Sequence, residues 1–74
     1  MKVLVKLFAT FRDKRFIKQE MEFPEQTEVR DVLKVLDIAD EEVAILLVNG
    51  RNAEVDHPLQ DGDTLSLFPP VGGG

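Results

Sequence analysis

Cysteine is absent from this chain of 74 residues, and histidine occurs once. No disulfide can therefore cross-link the fold, and no thiol of the protein can carry chemistry. The longest apolar run, residues 43–48, is far too short to cross a bilayer, and the N-terminus has no signal-peptide pattern. We expect one small domain, located in the cytoplasm and without a membrane association.

Basic residues are outnumbered by acidic ones, nine to fourteen, and the net charge is −5. This balance disfavours nucleic-acid binding, which requires a basic surface. It favours partners with basic surfaces. An acidic cluster at Asp37, Asp40, Glu41 and Glu42 is expected to be a solvated loop, with docking to a basic partner as the alternative.

Alternation of apolar and polar residues predicts strands at 2–8 and 17–23, separated by a charged turn or loop at 11–16. The expected inward-facing residues of these strands are Val3, Val5, Leu7, Ile17, Met21 and Phe23. Thr27 is a candidate N-cap of a helix, with Glu28 in its first turn. The core face of that helix is expected to contain Val29, Val32, Leu33 and Leu36.

Three further strands are predicted at 44–48, 51–55 and 64–68. The pair Asn49-Gly50 is a strong hairpin signal, and residues 61–63 form another turn. One helix packed on a mixed sheet of about five strands is an α+β arrangement. If the first and last strands are parallel neighbours, the fold is a β-grasp, or ubiquitin-like, fold.

The last seven residues, Phe68-Pro69-Pro70-Val71-Gly72-Gly73-Gly74, have an unusual composition. Two prolines fix φ and remove two backbone donors, which favours a stiff, extended segment. Three glycines without Cβ atoms can enter a channel too narrow for side chains. We expect residues 1–68 to form the domain and residues 69–74 a flexible tail that presents the Gly74 carboxylate; the alternative is an inert, frayed tail.

Several motifs together resemble one family. These are the D-H-P-L-x-D-G-D segment at 56–63, the apolar strand after it, F-P-P-V at 68–71 and the closing Gly-Gly, with support from residues 7–9 and 48–49. The chain resembles the MoaD/ThiS family of ubiquitin-like sulfur carriers. It is most similar to the MoaD-like branch, the small subunits of molybdopterin synthase. Gly72 stands where this family more often has another small residue, and ThiS-like carriers generally lack F-P-P-V.

The resemblance implies a chemical cycle at Gly74. An activating enzyme uses ATP to adenylate this carboxylate, a sulfur donor converts it to a thiocarboxylate, and the large synthase subunit transfers the sulfur to a pterin precursor. Gly72 and Gly73 would be the part of the tail whose backbone the partner proteins bind. Phe68, Pro69, Pro70 and Val71 would contact the partner, in a heterotetramer of two copies of each chain. The protein would bind no cofactor or metal and would not be an enzyme alone.

Other functions fit the same tail. The chain could be a thiamine-type or tRNA-type sulfur carrier, or a ubiquitin-like modifier joined to lysines through Gly74. A β-grasp binding module with an inert tail is disfavoured by the acidic charge. Phe68 is expected to be either an exposed interface anchor or a core residue. His57 has no second histidine or cysteine nearby in sequence, so a structural or solvent-exposed role is expected.

Overall fold

The computed structural model describes residues 1–70, which form five strands and one α-helix. In chain order these elements are β1 (Lys2–Leu7), β2 (Lys18–Glu22), α1 (Val29–Leu36), β3 (Ile45–Val48), β4 (Arg51–Asn52) and β5 (Thr64–Phe68). Short 3-10 turns at Ala9–Arg12 and Asp40–Glu42 lie in the connections.

The strands form a single sheet in the order β2-β1-β5-β3-β4. The first and last strands, β1 and β5, are parallel neighbours at its centre, and every other pairing is antiparallel. This parallel central pair, together with one helix across the sheet, is the β-grasp topology. The predicted α+β, β-grasp fold is therefore confirmed.

The core lies between α1 and one face of the sheet. Alternate residues of β1 and β5 point into it, and Val3, Val5 and Leu7 are fully buried. The helix contributes residues at the expected spacing, and its buried side chains are Val29, Val32, Leu33 and Leu36. Burial of this many aliphatic side chains is the main stabilising contribution in so short a chain.

Both ends of α1 are closed by local hydrogen bonds. At its start the Asp31 carboxylate accepts a hydrogen bond from the Glu28 N–H at 3.0 Å. At its end Asp37 takes a left-handed conformation with φ 59°. The Arg15 guanidinium then donates to the carbonyls of Leu36 and Asp37 at 3.0 and 3.2 Å. Carbonyls that have no partner within the helix are thus satisfied by a side chain from the preceding connection.

The Asn49-Gly50 turn between β3 and β4 is confirmed. Both residues have positive φ, 53° and 80°, as a tight hairpin turn requires. The Asn49 side chain also links this turn to the start of β5. Its Oδ1 accepts from the Thr64 N–H, and its Nδ2 donates to Asp63, both at 2.9 Å.

Three local expectations were wrong. Ile17 precedes β2 and is 62% exposed, so it does not face the core. The N-cap of helix α1 is Glu28 and not Thr27, whose hydroxyl donates to the Pro24 carbonyl at 2.8 Å. The predicted strand at 51–55 contains only two paired residues. The predicted turn or loop at 11–16 is confirmed, and it begins inside a 3-10 turn whose Phe11 is buried.

Strand β5 ends at Phe68, and the predicted division into a domain at 1–68 and a tail at 69–74 stays a prediction. Pro69 and Pro70 follow outside any strand. The predicted flexibility of residues 69–74 stays a prediction, and residues 71–74 lie outside the described part of the chain. Within residues 1–70, no helix is long and apolar enough to cross a membrane.

Candidate functional site

The segment that leads to the predicted reactive terminus leaves from the middle of the sheet. β5 lies between β1 and β3, so its last residues are held on both sides. The Ala44 N–H donates to the Phe68 carbonyl at 2.8 Å, and the Phe8 N–H donates to Leu67 at 3.2 Å. Pro69 and Pro70 have no N–H and cannot extend this ladder. The chain therefore leaves the sheet at a fixed point.

Phe68 lies on the sheet face opposite α1. Its neighbour Leu67 is fully buried toward the helix, whereas Phe68 is half-buried on the other side. The Phe68 ring stacks on Phe8, with centroids 4.1 Å apart and an angle of 12° between the planes. Of the two roles predicted for Phe68, the structure excludes the helix-side core and leaves an aromatic surface beside the exit.

An exposed apolar patch surrounds this exit. In the register of the sheet, Phe68 lies beside Ile45, and Ser66 lies beside Leu47. Ile45 is 48% exposed, although it belongs to a strand whose alternate residues are buried. We call Phe8, Ile45, Leu47 and Phe68 the apolar patch. Its position at the exit makes it the surface that a protein engaging the tail must approach.

A guanidinium group covers one side of the apolar patch. The Cζ atom of Arg12 lies over the Phe8 ring, 5.3 Å from its centroid. The same Phe8 ring stacks with Phe68. Its Nε donates to the Leu7 carbonyl at 2.7 Å, which fixes the guanidinium in place. Cation–π contact and a backbone hydrogen bond together hold Arg12 beside the exit.

The other predicted site residues are distributed as follows. Pro69 is half-buried and Pro70 exposed, directly after Phe68. Val71, Gly72, Gly73 and Gly74 lie outside the described residues, so their predicted roles stay predictions. Among residues 1–70, no three His, Cys, Asp or Glu side chains lie close enough together to hold a metal ion.

Comparison with known proteins identifies the family. The ThiS family model matches residues 5–74. The chain belongs to the ThiS family. Among solved structures, it is 34% identical to the protein assigned as molybdopterin converting factor, subunit 1, from Pyrococcus furiosus. That match covers 96% of this chain and 99% of the other, with a TM-score of 0.80. The predicted resemblance to the MoaD/ThiS sulfur carriers is confirmed, and the chain is a sulfur carrier of this type.

Two further solved structures define the range of ThiS-family relatives. The complex of subunits 1 and 2 of molybdopterin-converting factor from Helicobacter pylori includes a chain that is 27% identical, with a TM-score of 0.63 and full coverage of both chains. SAMP1 from Haloferax volcanii is 25% identical, with a TM-score of 0.82 and full coverage of both. The chain is thus similar both to a subunit of a two-subunit factor and to SAMP1.

His57 lies away from the exit of this ThiS-family chain. It lines an open groove of about 530 Å³ at the start of β5, together with Asn49, Arg51 and Asp63. Its backbone carbonyl accepts a hydrogen bond from the Val29 N–H at the start of α1, at 3.1 Å. The backbone carbonyl thus helps to hold the start of α1, and the structural or solvent-exposed role of the His57 side chain stays a prediction.

Sequence reasoning missed most of the apolar patch. Phe8 was separated from Phe68 by sixty residues, and only the parallel register of β1 and β5 brings the two rings together. Ile45 and Leu47 were hidden in an apolar run that was predicted to be a buried strand. Strict alternation with Leu46 and Val48 is the signal that would have placed them on the outer face.

Charge is unevenly distributed along the chain. Six of the nine basic residues lie within residues 1–18, whereas thirteen of the fourteen acidic residues follow residue 18. Lys6 and Lys18 are directly opposite each other on β1 and β2. Lys6 is also two residues before Phe8, on the same sheet face. The basic residues are therefore concentrated in β1, at the start of β2 and in the connection between these strands.

Proposed function

We propose that this chain is the sulfur-carrying small subunit of a molybdopterin synthase. The observation that carries the proposal is the exit of the chain from central strand β5 at the rim of the apolar patch. A partner that accepts residues 69–74 must then cover Phe68 and Ile45, so tail delivery and docking occur on the same side. The likeness to subunit 1 of molybdopterin converting factor supports the same assignment.

The proposed chemistry takes place at the Gly74 carboxylate. One of its oxygens attacks the α-phosphate of ATP on an activating enzyme, forms an acyl adenylate and releases pyrophosphate. Hydrosulfide released by a sulfur donor then attacks the carbonyl carbon, the bond to AMP breaks, and a thiocarboxylate remains. This activation is needed because a carboxylate is a poor electrophile.

The tail composition suits this cycle. Gly72 and Gly73 have no side chains, so a partner can bind the backbone closely and hold the carboxyl group beside the reacting phosphate. The two prolines upstream keep the segment extended. The partners supply the acid, base and ATP-binding groups, and the chain is not an enzyme alone.

The proposed partner is the large synthase subunit, in a complex of two copies of each chain in the cytoplasm. There the Gly74 thiocarboxylate gives its sulfur to a pterin precursor. Two such transfers build the dithiolene that holds molybdenum or tungsten. The H. pylori relative is known as a complex of subunits 1 and 2, which supports a large-subunit partner here.

Intact-mass measurement tests this proposal. The chain is incubated with the activating enzyme, ATP and a sulfur source, and we expect a mass increase that corresponds to one oxygen replaced by sulfur. Fragmentation should locate the sulfur at Gly74. A variant without Gly74 is the control and should gain no sulfur while melting at the same temperature. Modification at any other residue would refute the proposed cycle.

A second candidate function is protein modification through Gly74. Its specific support is the 25% identity to SAMP1 over the full length of both chains. An isopeptide bond would then join the Gly74 carbonyl to a lysine amine and release AMP from the same adenylate. Digests of the native cells should contain lysines that carry glycine remnants of this tail. If these are absent while the thiocarboxylate is present, sulfur transfer is the function.

A further inference from the structure

Lys6, Arg12 and Lys18 form what we call the basic strip, next to the apolar patch. We propose that the basic strip makes this surface selective for a partner that carries carboxylates around an apolar depression. The inference rests on the proposed function, since the partner in question is the large subunit. It reverses the expectation, drawn from the net charge alone, that the partner is basic at this contact.

The register of the sheet places the basic strip beside the apolar patch. Lys18, Lys6, Ser66 and Leu47 follow one another across β2, β1, β5 and β3. The next row toward the exit contains Phe8, Phe68 and Ile45. In these two rows the basic residues lie in β1 and β2, and the apolar residues lie in β3, in β5 and directly after β1. Glu20 and Glu22 occupy the same face of β2 farther from the exit.

The members of the basic strip make no ion pair within the described part of the chain. The ion pairs among residues 1–70 involve Lys2 and Arg30, and none includes Lys6, Arg12 or Lys18. Lys6 and Lys18 face each other directly across two strands, a like-charge arrangement that destabilises a sheet. Carboxylates of a partner would relieve the repulsion between Lys6 and Lys18 when the complex forms.

Arg12 is the most strongly positioned member of the strip. Its Nε is held by the Leu7 carbonyl, and its plane lies over Phe8. This leaves the terminal nitrogens of the guanidinium to meet a carboxylate in the paired geometry that arginine favours. Because its conformation is already fixed, little rotamer freedom is lost on binding.

A protein surface fits these features better than a nucleic acid. The three residues of the outermost row, Phe8, Phe68 and Ile45, are all apolar. The chain also carries thirteen acidic residues after residue 18, and these repel a polyanion. A protein with a few carboxylates beside an apolar site would match the basic strip and the apolar patch at once. The carboxylates would steer the encounter, and the apolar contact would hold the complex.

Association kinetics with the cognate large subunit test the inference. Three proteins are compared: the wild type, a strip variant with Lys6→Gln and Lys18→Gln, and a control variant with Lys2→Gln and Lys34→Gln. Both variants lose the same two charges, but Lys2 lies at the far end of β1, paired with Glu20, and Lys34 on the exposed side of α1. Thermal unfolding verifies that each variant is folded.

We expect the strip variant to associate about three- to tenfold more slowly than the wild type at low ionic strength. The control variant should associate at nearly the wild-type rate. The difference should disappear at high salt, where the Debye length falls to about 3 Å. Equal acceleration of both variants would show that net charge governs binding to a basic partner, and it would overturn the inference.

Three other outcomes also decide whether the basic strip binds an acidic protein surface. If the wild type does not bind the large subunit, the proposed function fails, and the same comparison with the adenylating enzyme tests the strip by itself. Slower association of the strip variant with that enzyme would support the inference, and unchanged association, or no binding, would overturn it. Single-stranded RNA binding that the strip variant loses, or a homodimer that it dissociates, would also overturn the assignment to an acidic protein surface.

Discussion

Replacing Phe68 by alanine removes one ring of the Phe8–Phe68 stack at the point where the chain leaves β5. A fully buried phenylalanine costs about 3–5 kcal/mol when truncated to alanine. Only a minor part of Phe68 is exposed, so somewhat more than half of that loss is expected. The lost stacking accounts for about 0.5–1.5 kcal/mol of it. We therefore expect the free energy of unfolding to fall by about 2–3 kcal/mol.

Phe68→Ala is also expected to weaken the free energy of binding to the large subunit, by a similar amount. An aromatic anchor at the centre of an interface contributes about 2 kcal/mol or more, which corresponds to about a 30-fold rise in Kd. Urea unfolding of the free domain measures the first quantity, and calorimetric titration with the large subunit measures the second.

Leu67→Ala is the matched control, because Leu67 precedes Phe68 in the same strand and is fully buried on the helix side. It should lower the unfolding free energy by about 2–5 kcal/mol and leave the Kd of the folded fraction nearly unchanged. If Phe68→Ala has the same pattern as Leu67→Ala, a loss of stability without a loss of binding, the apolar patch is not the docking surface.

Three other substitutions test separate parts of the account. Arg15→Ala should lower the unfolding free energy by about 1–2 kcal/mol in urea unfolding, because the Leu36 carbonyl at the end of α1 loses a charged donor; unchanged stability would mean that water replaces the side chain. Lys18→Glu should raise the unfolding free energy by about 0.2–1 kcal/mol at low salt, because a cross-strand attraction to Lys6 replaces a repulsion; a decrease would contradict the unpaired strip. Gly73→Val should reduce the adenylation rate far more than the melting temperature, because a β-branched side chain thickens the tail; equal rates for mutant and wild type would refute a narrow channel.

Periodicity allowed the helix and the central strands to be predicted. The spacing of the four apolar residues in α1 and the alternation in β1 report directly on one buried face. The order of elements was compatible with parallel pairing of β1 and β5, but this pairing was only a condition of the predicted fold until the structure showed it. The helix and the strands depend on local pattern and on burial, which the sequence encodes position by position.

The errors arose where tertiary contacts override the local pattern. Ile17 continues the alternation of β2 but precedes the first paired residue, so no sheet neighbour buries it. Thr27 is a residue type that is favoured at N-caps, but its hydroxyl donates a hydrogen bond to the Pro24 carbonyl, and Glu28 is the N-cap. The Phe8–Phe68 stack and the Lys6–Lys18 pair depend on register between distant segments, which composition does not report.

The most direct test of the central proposal is the mass of the Gly74 carboxyl group in protein isolated from native cells. The account predicts a fraction of molecules in which one terminal oxygen is replaced by sulfur, and this fraction should disappear when the activating enzyme is deleted. It also predicts that the modified form copurifies with a larger subunit. A native protein that carries only an unmodified carboxylate, or that is found only in isopeptide linkage to lysines, would contradict the sulfur-carrier account.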